Sequence, residues 1–214
     1  MKWAYSFIVN IRPLSTVKYN IQKNVDIMRE ELDMNLSVCI TNLSAYVGGS
    51  LIYKRMELPL PADEFEDKFA AVLKQIGINE FCEEIFLSDW ETDVPGLHDV
   101  IGEYTNVAAL NDLALCIDAL SEYDEEKLGA VLECECCRSL DDVKEIIENL
   151  DDFDLLSDVG DYEALGRYYV EELGAMEIPD HLMNYIDFEA LGRDIYYSGS
   201  YHFVDRDFCV CDYR

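Results

Sequence analysis

Positive charge is what this sequence lacks most. Its 214 residues include 16 lysines and arginines against 45 aspartates and glutamates, giving a formal net charge of -29 at pH 7 and a pI near 4.1. That balance excludes a direct nucleic-acid binder, because such binding relies on lysine and arginine neutralising phosphates. Histidine is scarce too: His98, His181 and His202 stand among 45 acids, so a histidine near a carboxylate is expected by chance and marks no catalytic site. The G-x-S-x-G, P-loop and G-x-G-x-x-G patterns are missing, which removes the commoner acyl-transfer and nucleotide-binding chemistries. The chain reads as a non-enzyme. No uncharged apolar run reaches the ~18 residues of a membrane span. The apolar start, Met1 to Ile11, carries Tyr5, Ser6 and Asn10, runs into Arg12 and Pro13, and has no small-residue cleavage site after it. The expectation is a soluble, cytoplasmic protein with no membrane partner.

What is present is enough to build a core. Half the residues are hydrophobic and 14 Tyr, 9 Phe and 2 Trp are among them, so wholesale disorder does not fit. Eight cysteines at irregular spacing suit reduced thiols better than a disulfide framework. Two clusters invite a metal, Cys134-Glu135-Cys136-Cys137 and Cys209-Val210-Cys211. The first falls in an apolar-periodic helix, where Cys134 and Cys137 serve as small core residues, and the second in a strand, where i and i+2 merely share a face. The acidic run Asp151, Asp152, Asp154, Asp158 and Asp161 lacks the glycine and glutamate of an EF-hand loop. No metal and no cofactor is expected.

Periodicity predicts an α+β fold, a series of three small units after an N-terminal extension at residues 1–34. Residues 1–33 carry a net +1, whereas the other 181 hold 41 acids and 11 bases. The first unit, residues 35–95, has strands at Ser37 to Leu43 and Leu51 to Leu58 in a hairpin about Gly48-Gly49. A helix follows from Asp63 to Ile76, stopped by Gly77, and then a strand from Glu84 to Trp90. The second unit, residues 96–150, is a helical bundle. One helix buries Leu110, Leu113, Ala114 and Ile117, the next has a capping box at Ser121 and Asp124, and a third is capped by Ser139. Leu140, Val143, Ile146, Ile147 and Leu150 form the third helix's buried stripe. The last unit, residues 151–214, has a strand at Phe153 to Ser157 and a helix from Tyr162 to Leu173 ending at Gly174. Short helices near 181–186 and 188–191 precede a hairpin through Ser198-Gly199-Ser200. No internal repeat is visible.

Three readings compete for the charge: simple solvation, an acidic chaperone or buffer for basic DNA-binding proteins, and a surface that imitates nucleic acid. Arrangement favours the last. Residues 141–163 hold ten acids and one base, and residues 80–93 hold six acids and no base. Carboxylates three or four residues apart on a helix are about 5–6 Å apart, comparable with successive phosphates. The acids singled out are Glu80, Glu83, Glu84 and Asp89, then Asp141, Asp142, Glu145, Glu148, Asp151 and Asp152. At one charge per about 1.7 Å of duplex axis, residues 34–214 match roughly 50 Å of DNA and a two-fold dimer about 100 Å.

The segment Tyr162 to Gly174 (YEALGRYYVEELG), with Pro179, Asn184 to Asp187 (NYID), Leu191 to Asp194 (LGRD) and Ser198-Gly199, closely resembles the ArdA family of antirestriction proteins. Upstream, Val38 to Leu43 (VCITNL), the Tyr46 and Gly49 region and Ser88 to Glu91 (SDWE) continue the resemblance over most of residues 35–204. Residues 1–34 and the cysteine-rich stretches depart from it. The resemblance implies a dimeric, elongated DNA mimic carried by mobile genetic elements, which occupies the DNA-binding groove of type I restriction-modification enzymes and needs no catalysis. The antirestriction-like motif residues are Tyr162, Glu163, Arg167, Tyr168, Tyr169, Glu171, Glu172 and Gly174. On a helical wheel Tyr162, Leu165, Tyr169 and Leu173 make a core face, and Glu163, Arg167 and Glu171 a charged one. Phe153, Leu155 and Tyr162, apolar residues beside the acidic run, are the expected dimer contact.

So large a like charge repels itself, and salt screens it within about 8 Å at physiological strength. The melting temperature is therefore expected to rise as NaCl is increased from low to moderate concentration, read by circular dichroism. A fall over that range would contradict the account.

Overall fold

The computed structural model describes residues 35–204 and 208–214; the extension read at residues 1–34 lies outside them. The described chain is mixed α+β, with two three-stranded antiparallel sheets and helices between and around them. Among the described residues no helix is long and apolar enough to cross a membrane.

In the first sheet the first described strand of the chain lies between the other two. Its central strand β1 (Leu36–Asn42) sends Leu36, Val38 and Ile40 into the main core, and all seven of its residues are buried. The expected hairpin to β2 (Tyr53–Leu58) is present, but a short helix α1 (Leu43–Val47) occupies the connection. Asn42 is the reason. Its buried carboxamide accepts the Ala45 N–H at 2.9 Å, capping α1, and donates to the Ile76 carbonyl at 3.0 Å. That carbonyl lies at the end of helix α2 (Ala62–Gln75), where Gly77 takes a left-handed φ of 83° and stops the helix as expected. Strand β3 (Ile85–Thr92) pairs with β1 through a bulge at Ser88.

Helices α3 (Leu97–Val100), α4 (Val107–Asp118), α5 (Glu122–Cys134) and α6 (Leu140–Glu148) follow. The anticipated faces of α4 and α6 are the buried ones, led by Leu110, Leu113, Ile117 and Val143. Asn111 adds a join that periodicity does not show. Its buried side chain accepts the Leu60 N–H at 2.7 Å and donates to the Leu60 carbonyl at 3.0 Å, fastening the chain after β2 to α4. The full capping box lies at Ser139 and Asp142. At Ser121 the hydroxyl accepts the Asp124 N–H but donates its own proton to the Asp124 carboxylate, so that cap is only half a box.

The second sheet, β4 (Phe153–Ser157), β5 (Tyr201–Phe203) and β6 (Phe208–Asp212), has β6 in the middle. Both faces of β6 are covered. Val210 joins Phe153 and Leu155 in the main core, whereas Cys209 and Cys211 join Leu156, Val159, Leu165 and Tyr201 in a second one. Ser198 to Ser200 connect a helix to β5 and do not form the expected hairpin, which is instead made by β5 and β6.

Over the second core lie α7 (Tyr162–Arg167) and α8 (Phe188–Tyr196), which carry an internal repeat that the sequence reading missed. Asp161-Tyr-Glu-Ala-Leu-Gly-Arg returns as Asp187-Phe-Glu-Ala-Leu-Gly-Arg, and both aspartates cap their helices, on Ala164 N–H at 2.8 Å and Ala190 N–H at 2.9 Å. The helices cross at the repeated glycine. A Cβ on Gly166 would lie 2.1 Å from the Phe188 carbonyl oxygen, and one on Gly192 would lie 1.8 Å from that of Tyr162. Each glycine thus receives the first turn of the other helix. Beyond Arg167 the α-helix widens into a π-turn, Tyr168–Glu172, in which Leu173 N–H donates to the Tyr168 carbonyl at 2.9 Å. The extra residue per turn moves the buried position after Leu165 from Tyr169 to Val170 and leaves Leu173 half exposed, correcting the expected core face.

Because backbone meets backbone at this crossing, neither neighbour has a side chain that can yield. Gly166→Ala and Gly192→Ala are each expected to lower unfolding free energy by about 3 kcal/mol or more in urea titrations. Gly102→Ala, whose Cβ would meet only Thr105 Oγ1 at 4.0 Å, should change it by about 1 kcal/mol at most. Equal effects at the three sites would overturn the crossing as the cause.

Candidate functional site

The acids singled out from sequence lie on two stretches of surface. Glu80, Glu83 and Glu84 are exposed in the connection from α2 to β3, and Asp89 is exposed on β3 itself. The bulge at Ser88 sets Asp89 opposite Cys39, and Cys39 in turn stands opposite Arg55 of β2. Arg55 reaches Asp89 at 3.7 Å and Glu91 at 2.5 Å, and donates to Ser37 Oγ at 3.0 Å. The hydrogen bond from Arg55 holds the Glu91 carboxyl below its ordinary range. Asp89 is therefore partly neutralised.

On the second stretch Asp141, Glu145 and Glu148 are exposed on α6, and Asp151 and Asp152 on the 3-10 turn Leu150–Asp152 that follows. Among the described residues no lysine or arginine pairs with these five, nor with Glu80, Glu83 or Glu84. Asp142 differs. It is half buried, and its carboxylate accepts the backbone N–H of Arg138 at 2.8 Å and of Ser139 at 3.1 Å. Its role in holding the helix start was not legible from charge alone. Nor was Glu125, whose carboxyl is pushed up by burial and by the nearby Asp93, Asp118 and Glu122.

The motif residues gather around the glycine crossing. Arg167 bonds Glu163 at 2.9 Å and Glu171 at 3.3 Å, the charged face expected, and its guanidinium also lies 4.5 Å from the centre of the Phe188 ring on α8. It is a clamp between the two halves of the repeat. Tyr162 meets Tyr196 and Phe203 edge to face at 5.4 and 5.5 Å. Tyr168 packs against the second core, and Tyr169 lines a cavity of about 560 Å3 with Asp194, Tyr201 and Arg214. Glu172 is exposed, and Gly174 takes the left-handed conformation that ends the π-turn.

Phe153 and Leu155, named with Tyr162 as a dimer contact, lie in the chain's own core at 1% and 8% exposure. They leave no surface for a second copy, whereas Leu173, Met176 and Tyr185 near the motif are exposed. Cys137 lies outside the helix that was expected to hold it, since α5 ends at Cys134. Burial pushes the Cys134 thiol up to about 11 and the Cys209 thiol up to about 12, so neither is a ready thiolate.

A family model described as Antirestriction protein (ArdA) matches residues 38–210, which includes both acidic stretches and the whole motif. No curated protein matches the chain.

The backbone N–H of Arg138 and the Ser139 cap lower the Asp142 carboxyl below its ordinary value. A carboxyl so depressed adds stability that is full above the ordinary value of about 4 and is lost as pH falls below it. Asp142→Asn should therefore lower the melting temperature at pH 7, and the gap to the unsubstituted protein should close in acid. A gap that persists undiminished in strong acid, where the carboxyl is protonated, would contradict this role.

Proposed function

The chain belongs to the ArdA antirestriction family, and from that premise we propose that it inhibits type I restriction-modification enzymes by occupying their DNA-binding groove as a mimic of duplex DNA. The observation that supports this reading most is the set of exposed carboxylates on α6 and its following turn, held on fixed backbone with no cation paired to Asp141, Glu145, Glu148, Asp151 or Asp152 among the described residues. A groove lined by lysine and arginine responds to the summed field of such a row. Nothing in this action calls for bond making, a metal or a cofactor.

In this reading the protein acts in the cytoplasm, as the product of a mobile element, and as a homodimer of three-unit protomers. Dimerisation doubles the length of charge presented. We place the contact near Tyr162 and the exposed Leu173, Met176 and Tyr185, because Phe153 and Leu155 are buried. Arg167, committed to Glu163, Glu171 and Phe188, then acts on the shape of that region and leaves the restriction enzyme to the acids.

The test is competition. A purified type I enzyme on its labelled recognition duplex, titrated with the protein at two salt concentrations, should release DNA stoichiometrically, with weaker displacement at higher salt. An unrelated basic DNA-binding protein should keep its DNA. Release from both would favour the acidic chaperone, and release from neither would return the charge to solvation. Glu145→Gln alone should weaken inhibition by no more than about fivefold, the equivalent of the ~1 kcal/mol ceiling for one exposed ion pair.

A further inference from the structure

Two residues after β6 touch both ends of the chain segment that carries α6. Arg214 forms an ion pair with Glu135, just beyond α5, and its guanidinium lies 4.5 Å from the centre of the Phe153 ring at the start of β4. It is anchored on its own strand by Asp212 at 2.9 Å. Tyr213 donates its N–H to the Asp152 carbonyl at 3.0 Å and its hydroxyl to the Asp154 carboxylate at 2.8 Å. Between Glu135 and Phe153 lie Asp141, Asp142, Glu145, Glu148, Asp151 and Asp152. Both contact residues stand beyond residue 210, where the family match ends.

We propose that Arg214, assisted by Tyr213, is a positioning residue that clasps the two ends of the α6 segment and so fixes its row of carboxylates for the partner's cationic groove. The inference rests on the function proposed above. Arg214 suits the task because one planar group ion-pairs along its edge and stacks through its face, which a lysine ammonium cannot do together. The clasp holds carboxylates that repel one another along α6, and a row held in place before binding avoids the ordering loss that a loose one meets on docking. Arg214 thereby aids the acids by geometry while pairing only with Glu135 and Asp212, which are outside the row.

The test uses the full chain carrying Arg214→Ala, with Arg214→Lys beside it. Amide hydrogen exchange across residues 139–152 should speed up in Arg214→Ala, less in Arg214→Lys, and remain unchanged in β1 and β3. Inhibition of the type I enzyme should weaken by about two- to tenfold, the equivalent of re-ordering one or two side chains on docking. A general loss of stability would give the same loss whichever acids are present, so coupling is decisive. With Glu145→Gln and Glu148→Gln already in place the Arg214→Ala effect should shrink, whereas with Glu80→Gln and Glu83→Gln it should persist. If the unsubstituted protein inhibits and Arg214→Ala inhibits equally, or exchange at 139–152 does not change, this inference is overturned and the proposed function stands. If the unsubstituted protein displaces no DNA, the proposed function falls and this inference with it.

Discussion

Repulsion among carboxylates is the constraint that everything else in this molecule answers to, because 45 acidic and 16 basic residues leave no way to cancel the charge by pairing. A fold under that load has to be held by apolar burial and by uncharged polar joints, and both are found where the chain most needs them. Asn42 ties β1, α1 and α2 together, and Asn111 ties the segment after β2 to α4, each with its carboxamide buried and bonded. Neutral amides do this without adding to the field. No buried side-chain nitrogen or oxygen is left without a partner among the described residues, so the interior pays nothing further in unsatisfied groups.

Three arginines are used at junctions. Arg55 lies across the first sheet, Arg167 across the α7–α8 crossing, and Arg214 between α5, β4 and β6. Each bonds more than one carboxylate, and Arg167 and Arg214 also rest on an aromatic ring, so one residue joins elements through charge and through packing. Acids fall into two groups as a result. Those at the junctions, such as Glu91, Glu163 and Asp212, have an arginine partner, and those along α6 and the α2–β3 connection do not.

Much of this was legible in the sequence, and the reasons for the misses are physical. The strand at Phe153–Ser157 and the buried stripes of α4 and α6 follow directly from apolar spacing. The π-turn after Arg167 does not, since a wheel drawn at one fixed pitch puts Tyr169 and Leu173 inward when the widened turn buries Val170. The α7–α8 crossing had a visible signal in the repeated Glu-Ala-Leu-Gly-Arg, but its meaning lies in a glycine facing a backbone carbonyl, which hydrophobic patterning does not register. Charge counting found the acidic stretches but could not show that Asp142 turns its carboxylate onto backbone N–H groups or that Asp89 lies 3.7 Å from Arg55. Phe153 and Leu155 flank Asp154 on β4, beside the acidic run, yet both are buried in the main core.

That acids are mounted on folded backbone bears on which kind of partner they suit. A protein that needed only to neutralise basic surfaces would do as well with a flexible acidic tail, which adapts to any cationic shape at the expense of ordering on each encounter. Here the row runs along a capped helix and a 3-10 turn whose following strand sits in a sheet covered on both faces. Such a row cannot follow an arbitrary surface, and it loses little freedom when it meets one of matching shape. Fixed spacing is a handicap for a general buffer of cations and an advantage for an inhibitor of one groove, which is why rigidity, more than net charge, favours mimicry over a chaperone role.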